Sequence, residues 1–204
     1  MKLDPAEMIR RDAQTLFMGA IVPRPIAWVS TVGQTGIFNL APYSAYTVLC
    51  MEPAVVCFNI GYRRDGSKKD TMVNIEWSKD FVINTVDERL AEVMNQTSAE
   101  YPLGMDEFKE CGLTPVKSDL VKAPRVGESP LNLECKLLQV LDFGEVPKGS
   151  QVVIGEVLRV HIKDDCYADG EIQMSKLKAV ARLGGQLYCR TTATFEMKRP
   201  YYIV

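Results

Sequence analysis

The chain has 204 residues, 47% of them hydrophobic, with 24 basic against 26 acidic side chains and a pI near 5.6. That size suits a single domain over residues 1–204 that buries a core without metal or disulfide staples. The balanced charge, with no Lys/Arg cluster beyond short pairs, gives no electrostatic footprint for nucleic acid. The segment Met1-Lys2-Leu3-Asp4-Pro5 has no apolar run that would direct export, so a cytoplasmic protein is expected.

Along the chain, Pro5 to Leu16 can form a short helix, and Ile26 to Val32 is a β-rich apolar run closed by a Gly33 to Gly36 turn. From Pro25 to Tyr62 the only charged residue is Glu52. At the chain's 25% charged content about nine or ten would be expected, so this stretch is surface covered by a core, a ligand or a second subunit. A membrane span is excluded by content: Gly33, Gln34, Thr35, Gly36, Asn39, Pro42, Ser44 and Thr47 interrupt it too often. Asn39 to Ser44 is expected to be a small, polar, Pro-interrupted loop between strands, leaving backbone groups free along a groove. A second buried strand covers Ala54 to Ile60. Charges return at Arg63, Arg64, Asp65, Lys68, Lys69 and Asp70. Asp70 is positioned to cap a short helix through about Trp77.

Phe81 to Val86 is the next strand. Asp87 then caps a helix over Glu88 to Thr97, in which Leu90, Val93, Met94 and Thr97 form one stripe at helical spacing. Met105 to Cys111 can give another short helix, and Thr114 to Pro130 is a long Pro-containing loop. Strands are expected over Leu131 to Phe143, Val152 to Ile162 and Thr191 to Met197. Many strands with only peripheral helices point to a mainly β fold, a closed antiparallel barrel rather than a doubly wound sheet.

Chemical motifs are sparse. No GxGxxG follows a strand and no Walker A motif is present. The six cysteines form no CxxC pair, and the single histidine, His161, gives no zinc spacing, so they read as free thiols in a reducing compartment. On an extended strand His161 shares its face with Arg159 and Lys163, which reads as a solvated face. A hydrolase built on His161 is the alternative from another class.

Two features remain. The 39–44 groove suits a flat, uncharged, hydrogen-bonding ring. Ser67-Lys68-Lys69-Asp70-Thr71 joins two ammonium groups, two hydroxyls and a helix start, which favours a phosphate by roughly 0.3–1 kcal/mol from the helix dipole alone. Ring pocket and phosphate site together describe a mononucleotide; the plain alternative is a capped, solvated helix entry.

These residues resemble the flavin reductase-like, FMN-binding split-barrel family, which includes flavoredoxins and the reductase partners of two-component monooxygenases. The resemblance runs through Pro-Arg-Pro-Ile-Ala-Trp-Val-Ser-Thr (23–31), Asn-Leu-Ala-Pro-Tyr-Ser (39–44), Lys69-Asp70-Thr71, Asp106-Glu107-Phe108 and Pro130 to Cys135. It continues with Ile154-Gly155-Glu156-Val157 and with Ala181 to Gly185 plus Tyr188. It implies a split β-barrel homodimer with FMN as cofactor, FAD being the alternative flavin. Ser30, Thr31, Asn39, Leu40, Ala41 and Ser44 would line the flavin, and Tyr46 would close its pocket. Lys68, Lys69, Asp70 and Thr71 would hold the phosphate. Arg182, Leu183, Gly184 and Tyr188 would approach the ring, from the same or the partner subunit. The implied reaction is hydride transfer from NAD(P)H to the flavin and on to an acceptor protein or monooxygenase component; it needs no acid or base from the protein. One departure stands out: many such reductases carry a histidine just before the Ile-Gly-Glu-Val strand, where this chain has Lys148-Gly149-Ser150-Gln151. A flavoredoxin-type electron carrier or a flavin-binding protein without turnover is therefore the alternative, with His161 a candidate substitute for the missing histidine.

Overall fold

In the computed structural model, which describes residues 1–201, the charge-poor region forms a run of hairpins. β1 (Ala27–Val32), β2 (Phe38–Tyr43), β3 (Tyr46–Met51) and β4 (Ala54–Gly61) follow one another with tight connections, and β5 is Asp80–Asn84. A short ribbon, β6 (Pro115–Val116) with β7 (Arg125–Val126), lies within the long 114–130 connection. The 13-residue strands β8 (Leu131–Phe143) and β9 (Ser150–Ile162) come next. A second ribbon, β10 (Tyr167–Ala168) with β11 (Glu171–Ile172), precedes a third, β12 (Val180–Arg182) with β13 (Tyr188–Arg190). The helices are α1 (Arg10–Ala20), α2 (Asp70–Ser78), α3 (Ala91–Gln96), α4 (Glu107–Glu110) and α5 (Met174–Leu177).

The main sheet has the order β2-β1-β5-β8-β9-β4-β3 and is antiparallel throughout. Its two edge strands, β2 and β3, are consecutive in the chain and joined only by Ser44 and Ala45. Edges that are two residues apart cannot belong to an open sheet, so the sheet curls until its ends meet. They meet without pairing: the Asn59 amide donates to the Ala45 carbonyl at 3.0 Å, but β2 and β3 share no ladder. The result is a barrel split along one seam.

Side-chain alternation sorts the core into two clusters. Ala27, Val29 and Tyr43 face the barrel interior with Phe58, Ile60, Phe81 and Val153. Trp28 and Leu40 face outward, against Leu90, Met94, Phe108 and Val126. Inside, Phe81, Phe58 and Tyr43 stack in sequence with ring centroids 5.4 Å apart at each step. Gly155 makes room for this line, because a Cβ there would lie 2.4 Å from the Phe81 ring.

Several expectations need correction. Asn39 to Ser44 is not a loop: residues 39–43 belong to β2, an edge strand, where Pro42 is tolerated because one side of the strand needs no ladder hydrogen bond. β3 carries no strand expectation at all. Thr191 to Met197 forms no strand, and residues 192–200 have no regular structure; the run has β-like composition but no partner within the described chain. The first helix runs later than expected, from Arg10 to Ala20. Asp87 does cap its helix, accepting the Arg89 and Leu90 amides at 3.0 and 3.1 Å, although the first turn is 3-10. Asp70 does not cap α2: Lys69 holds that position without a side-chain hydrogen bond. Among the described residues, no helix is long and apolar enough to cross a membrane.

Candidate functional site

At the barrel end where β2 meets the start of α2, a cleft opens. Asn39, Ala41, Pro42 and Tyr43 of β2 form one wall and Lys69, Asp70 and Thr71 another. The segment Thr97 to Tyr101, Arg63 and the buried Glu107 complete the lining. An adjoining cleft shares Pro42, Tyr43 and Ser98 with it and extends to Ser44, Arg182 and Tyr188. Together they make one continuous trough along the edge strand.

Local chemistry fixes each wall. Trp28 Nε1 donates to Thr97 Oγ1 at 2.9 Å, pinning the 97–101 segment from beneath. The aromatic stack delivers the Tyr43 hydroxyl to Thr71 Oγ1, to which it donates at 2.8 Å. Thr71 in turn donates to Asn39 Oδ1 at 2.7 Å. The Asn39 amide donates to both oxygens of Glu107 at 3.0 Å, and the Leu40 amide donates to Glu107 at 2.9 Å. Asn74 donates to Thr31 Oγ1 at 3.0 Å. Burial raises the Tyr43 pKa. It also raises that of Glu107, with Asp70 adding to the rise against the hydrogen bonds from Leu40 and Asn39.

The start of α2 has open donors. Met72 and Val73 both donate to the Lys69 carbonyl, but among the described residues the Asp70 and Thr71 amides donate to nothing, as the first turn of a helix requires. Arg63 is held by Asp70 at 2.7 Å and by the Tyr101 carbonyl at 3.1 Å; its buried Nε has no partner. Lys69 lies 5.8 Å above the Tyr43 ring. Burial, and secondarily Arg63, lower its pKa against the pull of Glu100. Two cations, Lys69 and Arg63, and two free amides thus gather at the start of α2, beside the Asp70 carboxylate that pairs with Arg63.

The structure brings Asn39, Ala41, Lys69, Asp70 and Thr71 to the main cleft and Ser44, Arg182 and Tyr188 to its extension. Thr31 is fully buried behind Asn39, 3.3 Å from its Oδ1. Ser30 and Leu40 lie on the opposite side of the sheet: the Ser30 hydroxyl donates to the Pro124 carbonyl, and Leu40 joins the outer cluster. Tyr46 packs against the barrel core, its phenol pushed up to about 12 by burial. Lys68 turns along α2 to Glu76 at 2.6 Å. Leu183 accepts from Arg24 through its carbonyl, and Gly184 meets Gly19 backbone to backbone. Arg182 stacks on Tyr188 at 4.5 Å.

Sequence reasoning missed Tyr43, Arg63, Glu107 and the 97–101 segment. Arg63 is the first charge after the charge-poor region, which was its signal; the 97–101 segment has none. His161 is not on a solvated face: it is partly buried, its Nε2 2.6 Å from Glu134 Oε1, and it lines neither part of the trough. Burial alone would raise the Glu134 pKa, but the amides of Asp119 and Leu120, at 2.8 and 2.7 Å, together with His161 hold it below the usual carboxylate value.

With this geometry in hand, the comparisons are specific. The sequence pattern of the flavin reductase like domain matches residues 18–178. An uncharacterized protein of Halalkalibacterium halodurans is 38% identical over 98% of this chain and 97% of its own. Nitrilotriacetate monooxygenase component B from Bacillus cereus superposes with a TM-score of 0.92 at 30% identity, covering 97% of this chain and 98% of that one. The 2-nitrobenzoate 2-nitroreductase NbaA of Pseudomonas fluorescens gives 0.90 at 27% identity, over 100% and 98% of the two chains. The chain therefore belongs to the flavin reductase like domain family.

Proposed function

We propose that the protein is an FMN-dependent oxidoreductase that takes hydride from NADH or NADPH and passes electrons to an acceptor, such as the oxygenase component of a two-component system. The observation that carries this reading is the anion site at the start of α2, set at one end of a trough whose long wall, β2, carries no charge. Lys69, Arg63 and the free amides of Asp70 and Thr71 would hold the phosphate. Ala41, Tyr43 and Ser44 would form the floor beneath the ring, with Arg182 and Tyr188 at the far end. Bound FMN supplies the hydride-accepting chemistry; the chain supplies position, desolvation and hydrogen bonds. Likeness to nitrilotriacetate monooxygenase component B of Bacillus cereus supports a role beside an oxygenase component.

A carrier of the flavoredoxin type is the second reading, and one observation favours it. The stretch Lys148 to Gln151, where the family resemblance leads one to expect a histidine, has none, and its Gln151 is buried and donates to Asp142 at 2.9 Å. A homodimer is part of the same proposal. Val48, Leu49 and Met51 of edge strand β3 are 49%, 52% and 78% exposed, and since consecutive strand residues face opposite ways, both faces of β3 lack cover. Six free cysteines fit a reducing, cytoplasmic setting.

The test is anaerobic addition of NADH or NADPH to the FMN-loaded protein. Bleaching of the flavin absorbance and steady oxidation of the nucleotide with excess FMN are expected of a reductase. No bleaching by either nucleotide, with full bleaching by dithionite, would replace the reductase reading with the carrier.

A further inference from the structure

The cleft wall holds one ionisable group with no part in hydride transfer. Glu107, only 5% exposed, anchors a continuous chain of hydrogen bonds that ends at the cleft. The Asn39 amide donates to its carboxylate, Thr71 donates to Asn39 Oδ1 at 2.7 Å, and Tyr43 donates to Thr71 Oγ1 at 2.8 Å. Every donor in that chain is aimed toward Glu107. The phenol proton is committed to the wall, so Tyr43 has only lone pairs left for a ligand.

A proton on Glu107 is incompatible with this order, because a carboxylic O–H would face the Asn39 N–H. The Leu40 amide, 2.9 Å from Oε2, keeps that oxygen an acceptor, so the proton sits on Oε1. The Asn39 amide must then turn over to present its oxygen. Its nitrogen donates to Thr71, Thr71 donates to Tyr43, and the phenol proton is freed toward the cleft. We propose that Glu107 is a positioning residue that sets the hydrogen-bond polarity of the cleft: ionised, it makes Tyr43 an acceptor; protonated, it makes Tyr43 a donor to an anionic ligand. Only one proton from solvent and the direction of existing hydrogen bonds change. The identity of that ligand as FMN rests on the proposed function; the reversal itself does not.

The surroundings set the balance. Asp70 and Lys69 face Glu107 from α2, Arg63 from the segment before it, Tyr43 from β2, and Glu100 and Tyr101 from the segment after α3. Asp106, Glu110 and Cys111 adjoin it on its own helix. The turnover gives up the long 3.3 Å contact from Thr31 to Asn39 Oδ1 and the 3.0 Å bond from Asn39 to Glu107 Oε2. Burial favours the protonated form, so the reversal occurs above the ordinary carboxylate range.

Glu107→Gln copies the protonated acid, with its oxygen for Leu40 and its NH2 for Asn39 Oδ1. In flavin-free protein labelled at tyrosine 13Cζ, the wild-type Tyr43 resonance is expected to titrate, and that of the variant to hold the wild-type acid-limb shift at every pH. A wild-type Tyr43 that does not titrate, or one that titrates alike in both proteins, overturns the inference whether or not flavin binds. The FMN dissociation constant is then compared in matched buffers, where titration of the ligand phosphate cancels. The ratio of wild type to variant should approach one at acid pH and grow as pH rises, by about tenfold for each pKa unit that the ligand adds to Glu107. A constant ratio, or a variant that loses FMN at every pH, overturns it. If neither protein binds FMN while Tyr43 titrates as expected, the flavin reading falls and the relay stands.

Discussion

Lys69 and Lys68 are adjacent, yet their ammonium groups do different work. Lys68 is neutralised by Glu76, whereas Lys69 is half-buried beside the free amides of α2 and has no carboxylate within salt-bridge distance among the described residues. A desolvated cation of this kind gains most from a bound anion. Lys69→Ala should weaken FMN binding by about tenfold or more, since a hydrogen bond to a charged group contributes roughly 1.5–3 kcal/mol. Riboflavin, which lacks the phosphate, should bind as before. Fluorescence titration with both ligands checks this, and an equal loss for both would contradict the phosphate placement. The charged helix entry at Ser-Lys-Lys-Asp-Thr, proposed as the anion site, was legible because it is a local property. Which lysine serves it was not, since that depends on Glu76 lying alongside α2. Thr71 was legible as a site residue but not its role: its hydroxyl is taken up by Asn39 and Tyr43, leaving its amide for a ligand.

At the scale of elements, β1, β4, β8 and β9 were readable within about two residues: β1 is buried along its whole length, and the others are β-rich runs bounded by turn residues. The seam strands were not. β2 carries Asn39 and Pro42, which look like loop residues but are permitted at an edge, and β3 is uncovered, so its pattern has no buried face to reveal it. Thr191 to Met197 shows the converse error, strand-like composition without a strand to pair with. His161 was misread for the same reason: its partner Glu134 is contributed by the neighbouring strand. That glutamate fastens the long 114–130 connection to the sheet through the Asp119 and Leu120 amides. Removing it takes from the part-buried Asp119 and Leu120 amides and from His161 their charged partner, so Glu134→Ala should cost about 1.5–3 kcal/mol. Because the folded-state pKa of Glu134 is depressed, its contribution is complete above its ordinary value of 4.5 and is lost as pH falls through the folded value. Urea denaturation should show a gap between wild type and variant that is steady near neutrality and closes on acidification. A gap that does not change with pH would contradict this account of the fastening.

For the whole molecule, the stretch from Pro25 to Tyr62 divides into three parts. β1 and β4 are core, β2 is core on one side and cleft wall along its rim, and β3 is apolar and uncovered. Phe195, Met197 and Tyr201 of the extended carboxyl-terminal segment are also exposed. Apolar surface on an unpaired edge strand is a liability unless another chain covers it. Sedimentation equilibrium should therefore give a dimer of the 22.8 kDa chain, and Leu49→Asp should shift it to monomer. A wild-type monomer at micromolar concentration would contradict the assignment of β3 to an interface.

The central claim is that the trough from the start of α2 along β2 is a flavin site. Titration of the purified wild-type protein with FMN, followed by absorbance, tests it most directly. Saturable binding of one FMN per chain is expected, with a shifted flavin spectrum and with affinity weakened by Lys69→Ala. A spectrum that stays that of free FMN at stoichiometric and higher protein concentrations would contradict it.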